Sequence, residues 1–457
     1  MREQDITAPA LSPGLRAELR GWSLVAIGSL AVAGALALLL VLSRVPATQV
    51  LLPWSWQSFF YTALVTHVIL SFVVWFLAVL GALAVLALAG QPAPRLDRLG
   101  PVGLWAAAAG SVLLVVPALL NSGEPQLNNY VPIVVHPLYY LGLVLVGLGV
   151  ALPVVRLLAN PGAWRGCVGF GVAVTGVCYL ISLLYIALAG AALPAGLDYE
   201  TWNERLFWGG GHVLQFVNTG LMLVVWVQLA EQAFGEPPVP PKLFRLVMGS
   251  MVAFCLAGLA FYGMFGVLSL EHRLAFTDLL WYGLTPSPLV VGAGLTALLW
   301  RRRKQLTGSP AELGLLISLA VFLVGGLMGF FLGASDARTP SHYHAVIGGV
   351  NLTFMALFMA VVLPVLGRAS RARRLGTLQF HFYGWGQLVF SFGMFVAGAA
   401  GVPRKTMGAA AQGLDSTLKK VAMGVYGLGG ALAVLGGILF IWLVLSRLLG
   451  REEAEHE

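Results

Sequence analysis

Twelve stretches of about 20 or more predominantly apolar residues divide this chain, each long enough to cross a bilayer as an α-helix. Inside lipid no water is present to satisfy backbone amides, so segments of this length must close their hydrogen bonds as helices. The spans are 21–43, 57–89, 100–120, 134–156, 166–191, 204–232, 242–268, 276–301, 310–334, 340–367, 376–398 and 416–448. Short connections join them, so the expectation is an all-α, twelve-helix membrane protein with one membrane domain over 1–457. Composition agrees: 58% of residues are hydrophobic and 10% charged, against about 25% charged in a soluble domain.

The formal charge of +8 does not point to nucleic acid, because the cations fall in short loops between apolar runs. Arg16 and Arg20, Arg95 and Arg98, Arg156 and Arg165, Lys242 and Arg245 occupy alternate loops. The run Arg301-Arg302-Arg303-Lys304, the cluster Arg368, Arg371, Arg373 and Arg374, and the pair Arg447 and Arg451 continue the series. By the positive-inside rule these loops and both termini are cytoplasmic, which implies a multi-pass protein of the inner (cytoplasmic) membrane. No A-x-A pattern follows the first apolar run, so it reads as a retained helix. Cys167, Cys178 and Cys255 lie in apolar runs without haem-attachment or zinc spacing and read as small buried hydrophobes.

This topology puts four imidazoles into the outer half of the membrane. His67 on the second helix lies roughly 15 Å below its outer end, and His212 on the sixth has a comparable depth. His342 and His344 stand near the start of the tenth. Two residues on an α-helix are about 200° of rotation, so this last pair points to nearly opposite sides and suits two separate metals or haems. Ionisable groups at such depth need partners and are usually functional, and haem iron suits an imidazole with no cysteine or carboxylate beside it. His136 reads as an interfacial cap, His381 as structural at the cytoplasmic face, and His272 as an outer-loop residue.

Four short motifs now fall into register. Ser341-His342-Tyr343-His344 resembles the H-x-H of the tenth helix in subunit I of the haem–copper oxidase and nitric oxide reductase superfamily. Thr66-His67 resembles that family's second-helix histidine. Leu206-Phe207-Trp208-Gly209-Gly210-Gly211-His212 resembles its sixth-helix segment, and Gly401-Val402-Pro403-Arg404-Lys405 its V-P-R-R loop. The order and helix numbers agree across essentially the whole chain, and the wording is nearest the B-type oxygen reductases. The resemblance implies the family's bundle and two haems: a low-spin haem between His67 and His344, and a high-spin haem on His342. It also implies that Arg404 and Lys405 pair with haem propionates, although the residues alone leave two solvated loop charges as the alternative. Cytochrome c, a cupredoxin or a quinol would be the electron donor, with a small second subunit as partner and no nucleic acid.

The chain also departs from that family. Its copper is held by three imidazoles; His212 matches one, but the other two would stand where Leu259-Ala260-Phe261-Tyr262-Gly263 carries no histidine. The tyrosine four residues after the sixth-helix histidine is Phe216 here. One imidazole does not hold such a copper ion, so the copper is expected to be absent and the site altered. Glu271, His272 and Asp278 with His212 are a candidate set for a non-haem metal, or plain loop charges. His212 and Tyr262 are the candidate catalytic residues. Gln215, Asn218, Thr219, Thr285 and Ser287 are polar residues within helices six and eight, and no carboxylate lies near the centre of the inner half, which gives little support to proton pumping. The expected function is a respiratory oxidoreductase passing electrons from the low-spin to the high-spin haem and reducing nitric oxide or oxygen. The alternative is a non-catalytic haem electron-transfer or gas-sensing subunit.

Overall fold

The computed structural model describes residues 11–42, 56–91, 93–333, 335–370, 372–404 and 413–450. Each expected span is helical. They are α1 (Pro13–Leu42), α2 (Trp56–Val68, a π-helical turn Ile69–Val74, then Trp75–Ala87), α3 (Leu99–Leu119), α4 (Pro137–Leu158), α5 (Cys167–Ala192) and α6 (Tyr199–Phe234). Then follow α7 (Pro241–Ala257 and Leu259–Met264), α8 (Leu270–Asp278, a π-helical turn Leu279–Leu284, Pro286–Arg302) and α9 (Pro310–Met328). The last three are α10 (Arg338–Leu357, a π-helical turn Phe358–Val362, Leu363–Val365), α11 (Arg373–Ala399) and α12 (Thr417–Leu449). Lys405, Arg371, Arg451 and the acidic tail 452–457 lie outside the described residues.

Among the described residues eleven helices are long and apolar enough to cross a membrane, all but α11. Helix α11 is 27 residues long but carries buried polar side chains. Asn351 Nδ2 of α10 donates to the Tyr383 hydroxyl of α11 at 2.8 Å, a pairing that a less apolar helix can use where it meets protein. Helix starts follow local chemistry. Proline in the first turn of α4, α7 and α9 lacks the amide hydrogen that would be orphaned there. His136 caps α4 by accepting from Leu138 N at 3.2 Å, and Ser309 with Glu312 forms a capping box on α9. Helix α8 begins at Leu270, earlier than the apolar count predicts, because Ser269 caps it by accepting from His272 N. His272 and Asp278 are therefore helical, and the outer-loop placement of His272 is corrected.

The described chain groups into two compact units: Met1–Val227 with Val239–Gly294, and Gln228–Pro238 with Leu295–Glu457. In the first, α3 and α4 pack through glycines. A methyl group on Gly110 would lie 2.7 Å from the Gly142 carbonyl oxygen. Lipid gives no hydrophobic drive for helices to associate, so close backbone approach supplies the dispersion contacts. The α3–α4 connection is a hairpin of β1 (Glu124–Gln126) and β2 (Ile133–Val135), antiparallel, with Gln126 opposite Ile133. Arg156 is not a loop charge: it is buried near the end of α4 and grips Glu18 of α1 with two bonds of 2.6 and 2.8 Å.

In the second unit, α9 lies so close to α10 that a methyl on Gly325 would come within 2.6 Å of Val346 N. The loop after α11 is tied to the turn before α10. Ala337 N donates to Val402 O at 3.0 Å, Arg404 N donates to Ser335 O at 3.1 Å, and Asp336 bridges Pro403. Asp336 also accepts from the Arg338 guanidinium at 2.8 Å and from Arg338 N at 2.9 Å. The Arg338 side chain holds the Asp336 carboxyl below its ordinary range.

Two outcomes follow from this packing. Gly110→Leu should destabilise the protein by about 1–3 kcal/mol, the usual cost of overpacking a close contact. Thermal unfolding in detergent reads this, and an unchanged midpoint would mean that α3 and α4 do not meet at Gly110. The Asp336–Arg338 pair stabilises the turn before α10 above the carboxyl's unfolded-state pKa and is lost as pH falls through the lowered folded value. Amide exchange at Ala337 and Arg404 should therefore accelerate only in strong acid, and Asp336→Asn should remove that dependence. Equal exchange in both proteins at every pH would exclude the pair as a clamp.

Candidate functional site

In the second unit α10 presents its two histidines to different neighbours. His342 Nδ1 lies 2.7 Å from Gly325 O of α9. A carbonyl only accepts, so Nδ1 carries the hydrogen and, in the neutral ring, Nε2 carries the lone pair. Gly329 makes room for this ring: a methyl there would sit 2.9 Å from His342 Cε1. His344 packs edge-on to Phe390 of α11 at 5.1 Å and beside Tyr343 at 5.0 Å. Phe390 in turn contacts Tyr426 of α12 at 4.5 Å. The two-residue spacing thus sends one ring to α9 and the other to α11. Arg404 is positioned by its backbone bond to Ser335.

In the first unit His67 follows the same rule. Its Nδ1 donates to Ala33 O of α1 at 2.8 Å, which again leaves the lone pair on Nε2. The π-helical turn of α2 begins two residues later, at Ile69. Such a turn adds one residue to a helical repeat and is frequent at functional sites.

His212 on α6 differs. Its Nδ1 donates to Trp208 O one turn earlier at 2.6 Å. Its Nε2 lies 2.9 Å from the Tyr130 hydroxyl, which reaches it from the β1–β2 hairpin. Both ring nitrogens are in use. Around them lies an aromatic cluster: Tyr130 and Trp208 at 5.8 Å, Trp208 and His212 at 4.8 Å, His212 and Phe276 at 5.8 Å. Phe276 also touches Tyr262 at 5.8 Å, and the Tyr262 hydroxyl donates to Tyr185 O at 3.0 Å. Both candidate catalytic residues therefore pack on one phenyl ring, and each already has its own hydrogen-bond partner. Phe261 meets the same ring edge-on at 5.2 Å. Burial, with the Glu204 charge adding to it, raises the Tyr130 phenol above its ordinary pKa, so it stays protonated.

His272 is fully buried, 5.0 Å from both Tyr262 and Phe276, and neither of its ring nitrogens has a hydrogen-bond partner. Its neighbour Arg273 lies 4.6 Å over the Trp208 ring. Glu271 and Asp278 are exposed, on other faces of the same helix. Among the described residues no three His, Cys, Asp or Glu side chains come together so as to hold a metal ion. His381 Nδ1 accepts from Trp385 Nε1 one turn on, at 3.0 Å. Cys178 and Cys255 are buried, Cys167 is half-buried, and none of the three forms a disulfide.

Sequence reasoning missed Tyr130. It sits in a polar loop, Leu127-Asn128-Asn129-Tyr130-Val131-Pro132, and is 82 residues from its partner. The run of three glycines before His212 was a usable signal, since a side chain on Gly211 would strike the Tyr130 ring.

The donors fit haem and do not fit the family's copper. His67 and His342 each have Nδ1 anchored to a carbonyl and the lone pair on Nε2, the arrangement that fixes a ligating imidazole. At His212 the corresponding lone pair is already taken by Tyr130, and the rings of Phe261 and Tyr262 on the neighbouring Phe276 supply no imidazole.

Comparison with known proteins gives one answer. The cytochrome c and quinol oxidase polypeptide I family model matches residues 20–439. A protein of Rickettsia prowazekii is 23% identical, over 92% of this chain and 94% of that protein. A cytochrome c oxidase subunit 1 of Thermus thermophilus is 24% identical, over 89% of this chain and 79% of its own length. The fold superposes on a heme-copper terminal oxidase dimer solved by cryo-electron microscopy with a TM-score of 0.75. That match has 18% identity and covers 97% of this chain and 85% of the other. This all-α integral membrane protein belongs to the cytochrome c and quinol oxidase polypeptide I family, a distant relative of cytochrome c oxidase subunit I.

Proposed function

We propose that the chain is a single haem-carrying membrane domain of an inner-membrane respiratory oxidoreductase that works without the family's copper. The observation that carries this is α10, whose two histidines contact different neighbouring helices, with His342 fixed in the ligating tautomer by Gly325 O. His67 and His344 would hold a low-spin haem and His342 a second haem. These groups, when bound, supply one-electron transfer and one open position for a small gas. Arg404 and Lys405 would pair with their carboxylates, since a guanidinium and a carboxylate make strong charge-assisted hydrogen bonds. Arg404 is suited to this because its backbone is tethered beside the start of α10. The donor would be cytochrome c, a cupredoxin or a quinol, with a small second subunit completing the assembly. Nitric oxide or oxygen is the substrate class.

The closed His212 ring favours a second reading: a haem electron-transfer or gas-sensing subunit with no terminal reduction. Oxygen and nitric oxide uptake assays separate the two.

Optical and spin-resonance spectra with metal counts test the main reading. Purified protein should hold two haems and no stoichiometric copper, with a low-spin signal lost in both His67→Ala and His344→Ala. His342→Ala should abolish carbon monoxide binding and leave the low-spin signal. A low-spin signal surviving in both of the first two variants would sink the ligand assignment, and stoichiometric copper would sink the copper-free site.

A further inference from the structure

We propose that Tyr130 is a positioning residue whose hydroxyl occupies the His212 position that a metal would otherwise take, making the two a neutral hydrogen-bonding pair. The pair rests on observations within the first unit alone.

The carbonyl of Trp208 requires hydrogen on His212 Nδ1, so Nε2 accepts and the Tyr130 hydroxyl donates, at 2.9 Å. The rings lie 4.4 Å apart, which fixes their mutual tilt. The hairpin is built to deliver this contact. Its β1–β2 pairing sets the register on either side of Tyr130. Asn129, the preceding residue, donates to Glu204 of α6 through its backbone at 3.2 Å and its side chain at 2.5 Å. Two residues after Tyr130, Pro132 O accepts from the Tyr139 hydroxyl of α4 at 2.9 Å. Gly211 leaves the space that the Tyr130 ring fills. The loop is thus clamped on both sides of one tyrosine, and α6 is cut away where that tyrosine enters.

A metal at Nε2 would have to displace the phenol, and among the described residues no three His, Cys, Asp or Glu side chains are gathered there to hold it. A phenol donating to Nε2 keeps the imidazole neutral and its ring fixed. It also leaves the phenol oxygen with a lone pair and the site without added charge.

Solid-state nitrogen NMR on full-length protein with labelled histidine tests the pair without any need for haem. The His212 Nε2 resonance, identified by its loss in His212→Asn, should shift in Tyr130→Phe, and Gly211→Ala should produce the same shift by displacing the ring. An Nε2 resonance unmoved in both variants overturns the pair.

Discussion

An imidazole buried among apolar helices must have its polar nitrogens satisfied, since an unmade hydrogen bond there costs about 1–3 kcal/mol. Three histidines in this protein meet that demand in the same way. His67, His212 and His342 each donate Nδ1–H to a backbone carbonyl, at 2.8, 2.6 and 2.7 Å. The bond fixes the tautomer and the ring plane together, so the other nitrogen is aimed before any ligand arrives. The orientation of these three rings depends on this one interaction.

Helical carbonyls are usually committed to their own ladder, so accepting from a ring on another helix requires close approach. Small residues provide it. Gly325 supplies both the carbonyl that holds His342 and the bare backbone that lets α10 come near. Ala33 plays the corresponding part toward His67. His212 needs no second helix, because its carbonyl is one turn back on α6. That leaves the Nε2 side of this ring open to an outside group, and the β1–β2 hairpin brings Tyr130 to it.

The aromatic cluster of the first unit bears on what chemistry is available. Phe261, Tyr262 and Phe276 give edge and face contacts where a metal centre would need lone pairs. Phenyl rings offer a metal ion no lone pairs. His272 is buried in the same cluster with neither ring nitrogen hydrogen-bonded.

Helix positions, the places of the histidines along them and the divergence of His342 from His344 were legible in the sequence. They depend on local quantities: apolar run length, rise per residue and rotation per residue. The family was legible for a related reason, since its motifs are short and sit at fixed places on successive helices. The pairing of Arg156 with Glu18, 138 residues away, and of Tyr130 with His212, 82 residues away, was not. Nothing local to a loop tyrosine says which ring it will meet. The early start of α8 was hidden because a serine cap begins a helix in polar sequence that an apolar count passes over. The sequence by itself determined where the imidazoles stand along their helices. Only the tertiary structure decided which nitrogen of each ring is held, because that depends on a carbonyl or hydroxyl brought within about 3 Å by the packing of other elements.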